Sequence, residues 1–132
     1  MIIKTKTFTE KTAGFCDIID ITGKIQEQID QEKIQRGVAI VFVSGSTAAL
    51  TTIEFESGLV RDLKELVEKL VPSDRRYHHD DRWGDDNGFS TYAPHSSARH
   101  WRCPSRTAVR CLAPGNRWCL WILTTDRARA KL

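Results

Sequence analysis

Two imidazoles and four carboxylates crowd one short polar span: His78, His79, Asp80, Asp81, Asp85 and Asp86, with Tyr77 before them and Asn87 after. Nitrogen and oxygen donors of this kind bind divalent ions. A cation held there would neutralise a departing phosphate group. The bland alternative is an exposed polar loop that holds nothing, and that is the reading adopted for His78. A second group lies upstream. Gly45, Ser46 and Thr47 form a small-residue turn whose N–H groups and hydroxyls could receive an anion, unless it is simply a tight turn. Glu54 ends the β-rich run that follows, as a metal ligand or general base on one reading and a solvated strand terminus on the other. Arg61 could steer a phosphate, but a surface pair with Glu65 at i+4 is the expected arrangement.

The elements that must position these groups follow from periodicity. Ile2 to Phe8 alternates apolar and polar residues and reads as an edge strand, with a second short strand at Phe15 to Ile19. Asp20 can cap a helix carrying Ile21, Ile25 and Ile29, with Ile34 following and Gly37 to end it. The run Val38 to Val43 is apolar at every position, as in a central strand buried on both faces. Leu50 to Phe55 makes a further strand. A helix from about Gly58 to Leu70 then places Leu59, Leu63, Leu66, Val67 and Leu70 on one face, and Pro72 stops it. No glycine-rich phosphate loop follows a strand, so an α+β domain fits better than a doubly wound sheet.

At 132 residues the chain has room for one ordinary domain. No apolar run approaches the ~18 residues that span a bilayer. The N-terminus lacks an apolar signal core, so a cytoplasmic protein without a membrane partner is expected. The formal charge of +3 hides a break: residues 1–90 carry −4, and residues 91–132 carry +7 with Asp126 as their only acid. Cys103, Cys111, Cys119, Trp101, Trp118 and Trp121 also fall in that second part, leaving one Cys and one Trp before it. Cys16 reads as a buried apolar filler.

Beyond Ser90 the periodicity fails, and only Trp118 to Leu123 resembles a strand. His95, His100 and the three tail cysteines suggest zinc weakly, because the cysteines are evenly spaced and lack a C-x₂₋₄-C pair. Arginines near Trp101 and Trp118 suggest RNA binding no more strongly, and a nucleic-acid partner is not expected. A different account comes from the genetic code. When each codon starts one base earlier, Trp118 followed by Cys119 forces Val, and Trp121 followed by Ile122 forces Asp. Codon degeneracy then permits His, a SLLGPS-like run and GTWQQVVFVDFDN, which alternates and turns as a hairpin strand does. Residues 91–132 are therefore expected to be an out-of-frame basic tail without a native fold, attached to a domain at 1–90.

GSTAALTTIE, GLVRDLKELVEKLVP, Tyr77-His78-His79 and DDNGFS together resemble the YjbQ family of small proteins, some described as secondary thiamine-phosphate synthases. The likeness covers residues 1–90. It implies a mixed or antiparallel α+β sandwich with two main helices, a homotrimer with sites near subunit boundaries, and a small phosphorylated metabolite as ligand. The implied activity is the divalent-metal-assisted joining of a pyrimidine pyrophosphate to a thiazole phosphate. By resemblance His79, Asp86 and Asn87 would hold the metal (Mg or Zn), Glu54 and His79 would be catalytic, and Gly45, Ser46 and Thr47 would bind phosphate. Thr91 stands where the family has histidine and the GTWQ strand is missing, so metal binding, assembly and activity are expected to be impaired. The alternative function is a trimeric protein that binds a phosphometabolite or metal without turnover.

Overall fold

The computed structural model describes residues 3–33 and 37–93 in full, and the backbone alone of 100–105, 116–122 and 129–131. In chain order the elements are β1 (Thr9–Lys11), β2 (Asp17–Asp20), α1 (Thr22–Gln31), β3 (Gly37–Phe42), β4 (Ala48–Glu54) and α2 (Ser57–Leu70). They continue with α3 (His78–Trp83), α4 (Gly88–Tyr92), β5 (His100–Ser105), β6 (Asn116–Ile122) and β7 (Arg129–Lys131). Every pairing among them is antiparallel. The strands form a three-stranded sheet in the order β2-β6-β4 and two pairs, β1-β7 and β3-β5. The α+β class expected from the sequence is the observed one.

The three-stranded sheet carries apolar residues on both faces, because successive side chains in a strand point to opposite sides. Ile19 and Leu50 are both register partners of position 120. They belong to one cluster with Ile21, Ile25, Val41 and Val43. Ile18 lies on the other face, in a cluster with Cys16, Val71, Phe89 and Ala93. Val60, Leu63 and Val67 of α2 pack against that second cluster. The sheet thus lies between a layer built on α1 and a layer built on α2 and α4.

Two strand expectations need correction. The strand buried on both faces is β4, where Ala48, Ala49 and Leu50 are consecutively buried, and not Val38 to Val43. In β3, Val41 is buried, yet Val38, Ile40 and Phe42 are 63%, 62% and 55% exposed. An all-apolar run does not state which sheet it joins, and among the described residues β3 pairs only with β5. The N-terminal strand is β1 at Thr9–Lys11, and residues 3–8 carry no strand.

The helices sit close to their expected positions. Asp20 Oδ1 accepts from the N–H of Thr22 at 2.8 Å, but the cap position itself is held by Ile21, which makes no side-chain cap bond. However, α1 ends before Gly37, because Lys33 turns the backbone into the left-handed region at φ 53°. Helix α2 is capped by Glu56, whose carboxylate accepts from Gly58 N–H at 2.6 Å and also from Leu59 N–H. No residue of α2 is fully buried, and Leu66 and Leu70 are exposed. The sequence beyond Ser90 suggests one strand, at Trp118 to Leu123; β6 lies there, and β5 and β7 are two further strands that pair with β3 and β1. Ile34 and His95, and the side chains of His100, Cys103, Cys111, Cys119, Trp101 and Trp118, lie outside the described residues.

Candidate functional site

The span Tyr77 to Tyr92 is not one loop. It folds into α3 and α4 around a single carboxylate, Asp80. Its two oxygens accept from the N–H of Tyr77 at 2.9 Å and the N–H of Gly88 at 2.7 Å. The first of these bonds is half of a capping box, closing the start of α3; the second fastens α4 beside it. The Tyr77 N–H bond, opposed by partial burial and helped by the Gly88 N–H, holds the Asp80 carboxyl below the usual carboxylate range. Gly84 ends α3 in the left-handed conformation at φ 68°, its N–H bonded to Asp80 O at 2.8 Å.

Tyr77 anchors this corner to the rest of the domain. Its hydroxyl donates to Pro72 O at 2.9 Å. Its ring stacks on Tyr92 at 6.4 Å between centroids, and the Arg75 guanidinium lies 5.5 Å from its centre. Burial pushes the Tyr77 phenol up. Sequence reasoning counted Asp80 as one donor among four and missed that it organises the others. The signal was present in its spacing, three residues after the start of an apolar-poor helix turn.

On this frame sits a chain of polar contacts. His79 Nε2 lies 3.8 Å from Asp85 Oδ1. Asp85 Oδ2 accepts from Asn87 Nδ2 at 2.7 Å, and Asn87 Oδ1 accepts from Thr91 Oγ1 at 3.0 Å. His79 is one-third exposed and its ring lies 6.5 Å from that of Trp83. His78 is fully exposed, its Nδ1 3.7 Å from Asp81, whose carboxylate also binds Arg76 at 2.6 Å. The neighbour of His79 is therefore Asp85. Asp86 holds a left-handed backbone at φ 51° between Asp85 and Asn87.

The other expected site residues are placed elsewhere. Ser46 and Thr47 make the turn just before β4, and Glu54 is its last residue. Six strand intervals of ~3.3 Å separate Ala48 from Glu54, roughly 20 Å in all. The turn and Glu54 therefore stand at opposite ends of one strand. Among the described residues, no hydrogen bond or ion pair joins Gly45, Ser46, Thr47 or Glu54 to His79. Arg61 bonds Glu65 at 3.1 Å, the surface pair expected from its spacing.

The donors themselves test the fit of a divalent ion. Among the described residues, no group of three His, Cys, Asp or Glu side chains converges as a ligand set. His79 and Asp85 form a pair, while both ends of the Asn87 amide are engaged by Asp85 and Thr91. Among the described residues, His79 and Asp85 alone do not make up the ligand set of a resident ion. What they offer is an accessible imidazole beside a carboxylate, able to donate to or accept from a polar ligand. No helix among the described residues is long and apolar enough to cross a membrane.

Comparison with known proteins bears on the whole chain. The model of the UPF0047 protein YjbQ-like family matches residues 6–100. A UPF0047 protein of Archaeoglobus fulgidus is 39% identical over 72 residues, 54% of this chain and 55% of that protein. The chain thus matches about half the length of that relative. Two solved structures share the fold at 23% identity. A hypothetical protein from Aeropyrum pernix K1 has a TM-score of 0.86 over 98% of this chain and 97% of its own. A YbjQ-like protein of unknown function from Sulfolobus solfataricus P2 has a TM-score of 0.85 over 96% of this chain and 90% of its own.

Proposed function

Because the chain belongs to the YjbQ-like UPF0047 family, we propose that its work is on a small phosphorylated metabolite, with thiamine-phosphate formation as the specific reaction. In that reaction the methylene carbon of a pyrimidine pyrophosphate bonds to the ring nitrogen of a thiazole phosphate. Its bond to the pyrophosphate oxygen breaks, and pyrophosphate leaves with the electron pair. Little covalent chemistry is asked of the protein beyond holding both rings and supplying donors to the departing oxygens.

The observation that supports this reading is the His79–Asp85–Asn87–Thr91 chain of contacts, which presents an accessible imidazole fixed from behind. A protonated His79 would donate to a phosphate oxygen, with the Asp85 carboxylate 3.8 Å from its Nε2. Gly45, Ser46 and Thr47 are the second phosphate-binding candidates, and Glu54 is a general base only if a neighbouring subunit brings it to the same site. The Mg or Zn ion expected from the resemblance needs donors beyond His79 and Asp85, so no step is routed through it. Homotrimer assembly belongs to the same proposal, and the exposed Val38, Ile40 and Phe42 supply apolar surface for it.

The test supplies both heterocyclic substrates and follows product by mass spectrometry. Product that disappears in His79→Ala supports catalysis. Tight binding of a phosphorylated metabolite with no product would replace it with the non-catalytic binding reading. Failure to bind or convert either substrate would overturn both.

A further inference from the structure

We infer that the native protein continues beyond about Ser90 in a reading frame one nucleotide earlier, and that the tail's Trp and Cys residues are the out-of-frame image of aliphatic strand residues. Trp is encoded by UGG, and Cys by UGU or UGC. A codon that begins one base before either is N-U-G. Whatever the first base, N-U-G encodes Leu, Met or Val. The positions held here by Trp101, Cys103, Cys111, Trp118, Cys119 and Trp121 are therefore all aliphatic in the earlier frame, without any choice of codon. At 101 the preceding His100 makes the residue Leu in every case, and at 119 the preceding Trp118 makes it Val.

Three of these obligatory aliphatic positions, 101, 103 and 121, fall where the sheets call for them. Position 101 pairs with Val41 and position 103 with Ala39. Position 102 between them reads Ala or Glu, and it pairs with the exposed Ile40. That is the period of two that a strand with one buried face requires. In β6, position 121 pairs with both Ile18 and Ala49, which are buried. A strand with a partner on each side suits an aliphatic β-former.

Two further observations agree. The net charge changes from −4 to +7 across Ser90, and one acid remains in the second part. Family likeness in sequence also ends at residue 100, well before residue 132. At the boundary, the junction of Ser90 and Thr91 reads N-A-C in the earlier frame, which is His, Asp, Asn or Tyr. Such a side chain would stand where the Thr91 hydroxyl now meets Asn87. This last consequence rests on the proposed site; the frame inference does not.

The test is made on protein isolated from its own cells, digested with trypsin and mapped by tandem mass spectrometry, with the gene sequenced across the Ser90 codon. The expected result is one additional nucleotide near that codon, or peptides with aliphatic residues at 118 and 121, Val at 119 and Asp at 122. Recovery of segment 118–127 with Trp118, Cys119 and Trp121 as the principal species would overturn the inference. Substrate turnover plays no part in this readout, so its failure and that of the proposed function are distinguishable.

Discussion

Gly88→Ala is expected to loosen the corner that holds His79 and Asp85. Gly88 is buried at the start of α4. A Cβ at this position would lie 2.5 Å from Tyr77 Cβ, and 2.8 and 3.1 Å from the two Asp80 oxygens. Carbon atoms settle at ~3.5–4.0 Å, so Tyr77 or α4 must move by about 1 Å. Neither neighbour is a free end: Tyr77 is tied to Pro72 O, and Asp80 holds the Gly88 N–H itself. Overpacking of this kind costs ~1–3 kcal/mol, against a gain of ~0.5–1 for Ala over Gly in a helix. The net loss is then about 0.5–2 kcal/mol, which lowers Tm by roughly 2–10 °C in a domain of this size. Circular-dichroism melts on protein expressed from its own gene would measure it. Gly23→Ala is the control, because it too opens a helix and a Cβ there meets nothing within 4 Å. It should leave Tm unchanged or raise it. If Gly88→Ala melts at or above the unmodified protein, the steric argument fails.

Leu50→Ala empties the centre of β4, where the side chain is 1% exposed, and should cost about 2–5 kcal/mol in a denaturant titration; a loss below ~1 kcal/mol would show that the cluster relaxes around the gap. Asp80 has a folded pKa below its ordinary 3.8, so its stabilisation is complete above that value and disappears as pH falls through the depressed one. Asp80→Asn should therefore melt lower at neutral pH and lose part of the steep acid decline below about pH 4, and an unchanged acid slope would count against it. Glu56→Ala removes the acceptor for two N–H groups at the start of α2 and should destabilise by about 0.5–2 kcal/mol; equal midpoints would mean that water replaces the carboxylate without loss. A recombinant chain fixed to the 132-residue reading should aggregate or melt broadly beside its frame-restored counterpart, because the residues paired with Val41, Ile18 and Ala49 are no longer those of the native strands. A sharp melt of a monodisperse trimer from the fixed reading would contradict this.

Much of the fold was legible because helices are local. The spacing of Leu63 and Val67 and the stop at Pro72 delimit α2 within a residue or so of Ser57–Leu70. Asp20 and the isoleucines do the same for the start of α1. The Arg61–Glu65 pair was readable for the same reason, since i and i+4 meet on any helix. The candidate site was readable only as a composition. Six polar residues in one span name the donors, but not which of them faces another.

Strand partners and carboxylate roles were decided by tertiary structure. An apolar run such as Val38 to Val43 is consistent with either a central or a half-exposed strand until its neighbour is known, and the partners in that neighbour are 58 (Phe42 to His100) to 68 (Gly37 to Ser105) residues away in sequence. Asp80, Asp85 and Asp86 are chemically one residue type. The folding of α3 against α4 gives the first to two backbone N–H groups, the second to His79 and Asn87, and the third a left-handed backbone. The amino-acid order by itself determined the helices and the supply of donors, because both depend on residues within a turn of each other. Only the packed fold decided which donors meet, because that depends on distant segments sharing one place.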